Sequence, residues 1–203
     1  MTERFSIFVV TLLTIAAIIT FAATLVSASL TYMNEDDLEP IASSTEEVRE
    51  VSTPVKQNIP TDITIPAIEV EAKVVDVGIG KTGNMAVPRS YSEAGWYRYG
   101  TTPGKRGSAV INGHADNGFG LDAVFKNIGE LEPGDEIYIE TKGGKELTFV
   151  VEDVQTYDVE DVPLQRLFNR ADTSRLNLIT CTGEWDEEKK AYDQRIVVYA
   201  KLL

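Results

Sequence analysis

The sequence predicts a mainly β fold, either a closed antiparallel barrel or a sandwich, preceded by one transmembrane helix. Short runs rich in Val, Ile and Tyr alternate with Gly, Pro and Asp over the C-terminal two thirds of the chain, which is typical of many short strands. No alternation of strands with long helices and no GxGxxG phosphate loop is present. The N-terminal third instead contains one long apolar run.

The apolar run extends from Phe5 to Leu30 and contains no charged residue. As a helix it spans about 39 Å, which exceeds the ~30 Å of a bilayer core. A cleaved signal peptide is the alternative, because Val26–Ala28 resembles a small-residue cleavage site, but signal cores are only about 7–15 residues long. We therefore expect residues 1–31 to form an uncleaved anchor. Arg4 precedes it and acidic residues follow it, which predicts a cytoplasmic N-terminus and an extracellular remainder.

Residues 32–60 predict an acidic extracytoplasmic linker. The segment contains seven acidic residues but only two basic residues, Arg49 and Lys56, and three prolines interrupt it. Charge repulsion and few apolar residues favour an extended spacer.

Residues 61–203 are expected to form the folded domain. Helices are predicted at Leu121–Asn127 and Val162–Asn169, and tight turns at Lys142–Lys145 and Pro133–Asp135. The predicted strands are Ile63–Ile65, Val70–Val77, Met85–Val87, Trp96–Tyr97, Ser108–Asn112, Glu136–Thr141, Leu147–Tyr157, Arg175–Cys181 and Arg195–Leu202.

Composition excludes several classes of function. A formal net charge of −13 argues against a nucleic-acid partner, because phosphate binding needs clustered Lys and Arg. The chain has one Cys and one His, so neither an internal disulfide nor a zinc site of Cys/His pairs can form.

Three side chains fall at predicted strand ends. Cys181 ends one strand before a predicted loop Thr182–Asp193, His114 follows another, and Arg195 begins the last. If the strands ending at Cys181 and beginning at Arg195 pair antiparallel, these two residues are neighbours. A free cysteine is commonly a small buried hydrophobe, although an idle thiol outside the cytoplasm is exposed to oxidation.

Together the three side chains supply what attack on an amide requires. Cys181 is the candidate nucleophile, His114 the proton donor for the leaving amine, and Arg195 the positive charge for the oxyanion. A neighbouring cation can favour the thiolate.

Leu178–Cys181, with Arg195 fourteen residues later and Gly113–His114 before it, resembles the sortase family. The resemblance covers roughly Thr61 to Leu203 and implies an eight-stranded β-barrel in a membrane-anchored cysteine transpeptidase of Gram-positive bacteria. The segments most similar to class F sortases are Gly113–Asp116, Ala123–Phe125, Leu131–Asp135 and Arg195–Ala200.

The resemblance implies a catalytic triad of His114, Cys181 and Arg195. We predict Thr180 and Asp116 as supporting residues and assign no cofactor and no metal. It implies secreted proteins with a C-terminal LPxTG-like sorting signal as substrates, and a cell-wall precursor amine as acceptor. The family signature usually begins Thr-Leu before the cysteine, whereas this chain has Asn177-Leu178. We expect this departure to change local hydrogen bonding more than chemistry.

Other readings stay open. The chain could be a cysteine peptidase that only hydrolyses, or a tethered β-barrel binding module without catalysis. An L,D-transpeptidase is disfavoured, because His114 lies far from Cys181 in sequence. A calcium site at predicted strand ends is conceivable, with a solvated acidic surface as its alternative; its candidate ligands are Glu140, Glu152, Asp153, Glu160 and Asp161.

Overall fold

The computed structural model describes residues 58–203, which form an eight-stranded closed β-barrel. The mainly β fold predicted from the strand pattern is confirmed. The predicted anchor, residues 1–31, and nearly all of the predicted linker lie outside the described residues; Pro60 already begins the first strand. Within residues 58–203, no helix has the length and apolar character needed to cross a membrane.

The barrel is built from strands of very different length. They are β1 (Pro60–Ile65), β2 (Val70–Val77), β3 (Ala94–Tyr97), β4 (Gly107–Asn112), β5 (Glu136–Thr141), β6 (Glu146–Asp158), β7 (Ser174–Asp186) and β8 (Ala191–Leu202). One α-helix, α1 (Leu164–Phe168), joins β6 to β7, and 3-10 turns occupy Pro66–Ile68 and Ile128–Glu130. Around the barrel the strands follow the order β1-β2-β3-β4-β7-β8-β6-β5.

The expected antiparallel arrangement is wrong at two places. β2 pairs parallel with β3, and β4 pairs parallel with β7. Because β4 and β7 run in the same direction, Asn112 at the end of β4 lies opposite Ile179, just before Cys181. The parallel pair therefore brings the exits of both strands to the same rim of the barrel.

The predicted strand Met85–Val87 is reduced to an isolated bridge between Ile79 and Met85. The carbonyl of Ala86 accepts a hydrogen bond from the Asn112 side chain at 2.9 Å, and the carbonyl of Pro88 lies 2.9 Å from His114 Nε2. Because side chains already bond to these carbonyls, a neighbouring strand cannot use them for ladder hydrogen bonds.

The predicted helix Leu121–Asn127 is also wrong. The backbone N–H groups of Ala123, Val124 and Phe125 donate to the carbonyls of other segments, at Ala115, Tyr91 and His114. These tertiary bonds replace the i→i−4 bonds of a helix. The second predicted helix, Val162–Asn169, is present but shortened to α1, with Pro163 at its N-cap.

The predicted loop Thr182–Asp193 is mostly strand. β7 and β8 continue to Asp186 and from Ala191, and their register shifts between Thr182 and Trp185. Trp185 pairs across the hairpin with Tyr192, with ring centroids 5.3 Å apart, which stabilises the extension. The predicted turns at Lys142–Lys145 and Pro133–Asp135 are confirmed by the Gly144 N–H to Thr141 carbonyl bond and the Asp135 N–H to Glu132 carbonyl bond.

Alternating residues divide β7 and β8 between two apolar clusters. Leu176, Leu178, Val198 and Ala200 point into the barrel core, which also buries Phe125 and Phe149. The outer face belongs to a second cluster, formed by Val110, Leu167, Val197 and Tyr199. This second cluster fixes α1 against the outside of the barrel and so shapes the surface beside Cys181.

Candidate active site

Cys181 and Arg195 lie directly opposite each other in the β7–β8 ladder. Side chains of paired residues in an antiparallel ladder project from the same face of the sheet. The adjacency predicted from the strand pattern is therefore confirmed. Both residues lie on the outer face of the barrel and line a groove of about 280 Å³.

The groove has a floor and two walls. Its floor is formed by the ends of β4 and β7, where the lining residues are Asn112, Gly113, Ile179 and Thr180. The β2–β3 wall, Asn84–Pro88, contributes Asn84, Met85 and Val87, and the α1 wall, Val159–Phe168, contributes Val159, Val162, Leu164, Leu167 and Phe168. The groove is mostly apolar and has the Cys181 thiol at one end. Such a groove is suited to binding the apolar side chains of an extended peptide.

His114 leaves the same rim two residues after β4. Its Nε2 atom lies 2.9 Å from the Pro88 carbonyl, and its ring lies 4.8 Å from the ring of Tyr91. Because a carbonyl oxygen can only accept, Nε2 carries a hydrogen in this arrangement. Within residues 58–203, His114 makes no hydrogen bond to Cys181; its Nε2 atom is instead held by the Pro88 carbonyl of the β2–β3 wall.

Two local bonds hold the rim together. The buried hydroxyl of Thr180 donates to the Gly113 carbonyl at 2.8 Å, and the Gly113 N–H donates to the Ile179 carbonyl. Thr180, predicted as a supporting residue, therefore connects the Cys181 strand to the backbone directly before His114. Its contact is with backbone and not with the thiol.

Asp116, the other predicted supporting residue, accepts hydrogen bonds from the Tyr192 hydroxyl at 2.6 Å and from the Gly118 N–H at 2.7 Å. The Tyr192 hydrogen bond holds the pKa of Asp116 below its usual value. Tyr192 was not predicted; no sequence signal separates it from the other seven tyrosines.

The thiol is not ionised by its neighbours. Burial raises the pKa of Cys181, Arg195 lowers it, and Asp116 raises it further, and the net direction is upward. The expectation that a neighbouring cation favours the thiolate holds for Arg195, but burial outweighs that contribution. Arg195 Nη1 is itself bound to the carbonyls of Tyr192 and Gln194 at 2.9 and 2.6 Å.

Two of the five acidic residues considered for calcium are engaged with basic side chains. Glu152 pairs with Arg175 and Lys201, and Asp153 pairs with Arg166. Over residues 58–203, no three or more His, Cys, Asp or Glu side chains gather as a group that could hold a metal ion.

The closed barrel, the cross-strand Cys–Arg pair and the histidine at a shared rim define a class of thiol-dependent acyl-transfer protein. A family model described as the sortase domain matches residues 63–203. The chain belongs to the sortase family of cysteine transpeptidases.

Solved structures agree at the level of the fold. Sortase A from Corynebacterium diphtheriae is 22% identical, with a TM-score of 0.54 over 73% of this chain and 62% of that chain. Sortase C-1 from Actinomyces oris is 23% identical, with a TM-score of 0.54 over 70% and 72%. A sortase D5 transpeptidase from Clostridium perfringens is 22% identical, with a TM-score of 0.52 over 71% and 78%. This chain thus spans less than two thirds of the Corynebacterium protein's length. No curated protein sequence matches it.

Proposed function

We propose that this chain is a membrane-anchored, extracellular transpeptidase of the class F type, and that Cys181, His114 and Arg195 are its catalytic residues. It cleaves an LPxTG-like sorting signal on secreted proteins and transfers the acyl part to a cell-wall amine. The observation that carries the proposal is the Cys181–Arg195 pair at the head of an apolar groove, with His114 leaving the adjacent parallel strand.

In the first half-reaction, the Cys181 thiolate attacks the carbonyl carbon of the scissile peptide bond. A carbon–sulfur bond forms, the carbon–nitrogen bond breaks, and imidazolium His114 gives its proton to the departing amine. Because the Pro88 carbonyl occupies Nε2, the proton is delivered from Nδ1, or from Nε2 once the β2–β3 wall releases it.

Arg195 stabilises the developing oxyanion. Its Nη1 is used by two backbone carbonyls, which fixes the guanidinium at the head of the groove. Within residues 58–203, the remaining N–H donors of Arg195 have no hydrogen-bond partner, so they are free to contact substrate. A permanently charged group suits this role because it keeps its proton at working pH.

In the second half-reaction, an amine attacks the thioester carbonyl carbon and a carbon–nitrogen bond forms as the carbon–sulfur bond breaks. Neutral His114 takes the proton from the attacking nitrogen and Cys181 leaves as the thiolate, so both groups return to their starting forms. The acyl peptide must stay bound while the leaving amine departs and the acceptor enters. The walled groove fits the acyl side, since its mostly apolar lining can hold that segment through the lifetime of the thioester.

The membrane anchor rests on the uncharged run Phe5–Leu30, and the orientation rests on its flanking charges. The class F assignment rests on the segments quoted above, from Gly113–Asp116 to Arg195–Ala200. Secreted proteins are the expected substrates because a thiol on the extracellular side of the membrane encounters proteins that have been exported.

The test uses the full chain in detergent micelles with a library of peptides that contain LPxTG-like motifs. We expect intact mass spectrometry to find an acyl adduct on Cys181, and an added amine such as triglycine to divert the product from acid to amide. Cys181→Ala should form no adduct, and His114→Ala should form it far more slowly.

Two other results would count against the proposal. Acid as the sole product at every amine concentration would define a hydrolytic peptidase. Absence of any adduct, together with a thiol unreactive towards alkylating reagents, would define a binding module.

A further inference from the structure

Two buried asparagines lie under the groove on neighbouring floor strands. Asn112 is on β4 and Asn177 is on β7, and in the β4–β7 register Asn112 faces Ile179 while Asn177 faces Val110. Asn112 is 7% exposed and Asn177 is fully buried. On each strand the asparagine belongs to the outer, groove-facing set, because Ile111 next to Asn112 and Leu176 and Leu178 on either side of Asn177 belong to the barrel core.

Each asparagine holds a different wall. Asn112 Nδ2 donates to the Ala86 carbonyl of the β2–β3 wall at 2.9 Å. Asn177 Nδ2 donates to the Leu167 carbonyl of the α1 wall at 2.6 Å. A short helix leaves its last carbonyls without internal partners, so the Asn177 amide satisfies one of them.

The β2–β3 wall is held at two points with matching spacing. Residues 112 and 114 share one face of the chain leaving β4, and they bind the carbonyls of residues 86 and 88. Any shift of this wall therefore moves the contact of His114 as well as the groove lining at Met85 and Val87.

Neither asparagine is fully satisfied by its contact. Within residues 58–203, the Oδ1 atoms of Asn112 and Asn177 are buried and lack hydrogen-bond partners. An unpaired buried amide oxygen destabilises a fold, so these side chains are poor choices for stability alone. Asn112 Oδ1 also fills the space beside Gly95, where an added Cβ would lie 2.6 Å from it, which restricts movement of the amide.

We propose that Asn112 and Asn177 are positioning residues that fix the two walls at one separation and so determine which apolar side chains the groove accepts next to the scissile bond. The inference rests on the proposed transpeptidase function. The selective element is the distance between the walls, set by two amide-to-carbonyl bonds from adjacent strands.

The test replaces each asparagine with leucine, which has a similar shape but no donor. For Asn112→Leu and Asn177→Leu we expect KM for the best peptide to rise about fivefold, which corresponds to one lost hydrogen bond. In Asn177→Leu kcat should change by less than about twofold, whereas in Asn112→Leu kcat should fall as well, because the same wall holds His114. In a series with Ala, Val, Leu, Phe or Trp upstream of the scissile bond, larger side chains should gain relative to the wild-type preference.

Thr141→Val is the matched control. Thr141 is equally buried and donates to the Lys145 carbonyl at 2.9 Å, but it lies in the β5–β6 turn and lines no part of the groove. This variant should lose stability without changing KM or the side-chain ranking. If both asparagine variants behave like Thr141→Val, the inference is overturned.

If Asn177→Leu does not fold, the pair Asn177→Thr and Asn177→Val separates the donor from the volume. The threonine variant should keep the wild-type ranking and the valine variant should lose it; identical rankings overturn the inference. A wild-type chain that forms no Cys181 adduct contradicts the proposed function itself, which separates the two failures.

Discussion

The electrostatic state of Cys181 is set by three opposing influences. Burial raises the pKa of the thiol, Arg195 across the ladder lowers it, and the Asp116 carboxylate raises it. Asp116 stays ionised at neutral pH because the Tyr192 hydroxyl bonds to it and depresses its pKa. At neutral pH the unoccupied site therefore holds mostly thiol and little thiolate.

The charge at residue 116 should control how readily the thiol reacts. Removing the negative charge with Asp116→Asn lowers the Cys181 pKa, so alkylation by iodoacetamide should speed up at pH 7 and its pH midpoint should move down. Arg195→Gln removes a positive charge and should move the midpoint up. The measurement is the alkylation rate against pH, followed by mass spectrometry.

Asp76→Asn is the control for this prediction, since Asp76 pairs with Arg98 and does not act on the thiol. An unchanged midpoint in Asp116→Asn would show that the carboxylate is screened from Cys181.

At the scale of elements, the exit of β4 depends on a residue without a side chain. A Cβ built on Gly113 would lie 2.6 Å from the Phe125 ring and 2.8 Å from Val124. Phe125 is fully buried in the barrel core and cannot move aside easily. The Gly113 carbonyl also accepts the Thr180 hydrogen bond, so Gly113 connects the barrel core to the rim.

Gly113→Ala should therefore destabilise the protein by about 1–3 kcal/mol through overpacking and should slow acylation by displacing His114. Denaturant unfolding and the rate of Cys181 adduct formation measure the two effects. Gly80→Ala is the matched control, because its Cβ would meet its nearest neighbour at an ordinary 3.5 Å. Equal behaviour of the two variants would mean that Phe125 relaxes to accept the methyl group.

The elements that the sequence predicts well are those with a local signal. Alternating apolar residues locate β2, β5 and β8, and Gly144 marks the β5–β6 turn. The pairing of Cys181 with Arg195 follows from two adjacent strands joined by a hairpin.

What the sequence could not give depends on contacts between distant segments. The parallel β4–β7 pair joins residues more than sixty positions apart, and nothing local to either strand specifies it. The irregular path of Leu121–Asn127 is imposed by carbonyls of Tyr91, His114 and Ala115. Asn112 could have been predicted from the sequence as part of the site, because it lies two residues before His114 and alternate residues of an extended chain share one face.

At the scale of the whole molecule, Cys181 is the single cysteine among 203 residues, so labelling of its thiol can report on which side of the membrane the folded domain lies. If residues 1–31 anchor the chain with the remainder outside, a membrane-impermeant maleimide should label Cys181 on intact cells. Labelling is expected to be slow, because the thiol is partly buried and its pKa is raised. Cys181→Ser gives the background, and labelling only after the membrane is opened would reverse the proposed orientation.

The strand order carries a consequence for how the protein matures. β8, the last strand along the chain, lies between β6 and β7, and it supplies Arg195 as well as the closure of the barrel. β4 pairs with β7, which lies far along the chain. The segment between these two strands must form a closed loop before His114 and Cys181 lie at the same rim, and closing so long a loop is slow because it costs conformational entropy. A chain in which β8 has not yet paired with β7 therefore carries the Cys181 thiol without Arg195 beside it, so the proposed catalytic group is assembled only in the last step of barrel closure.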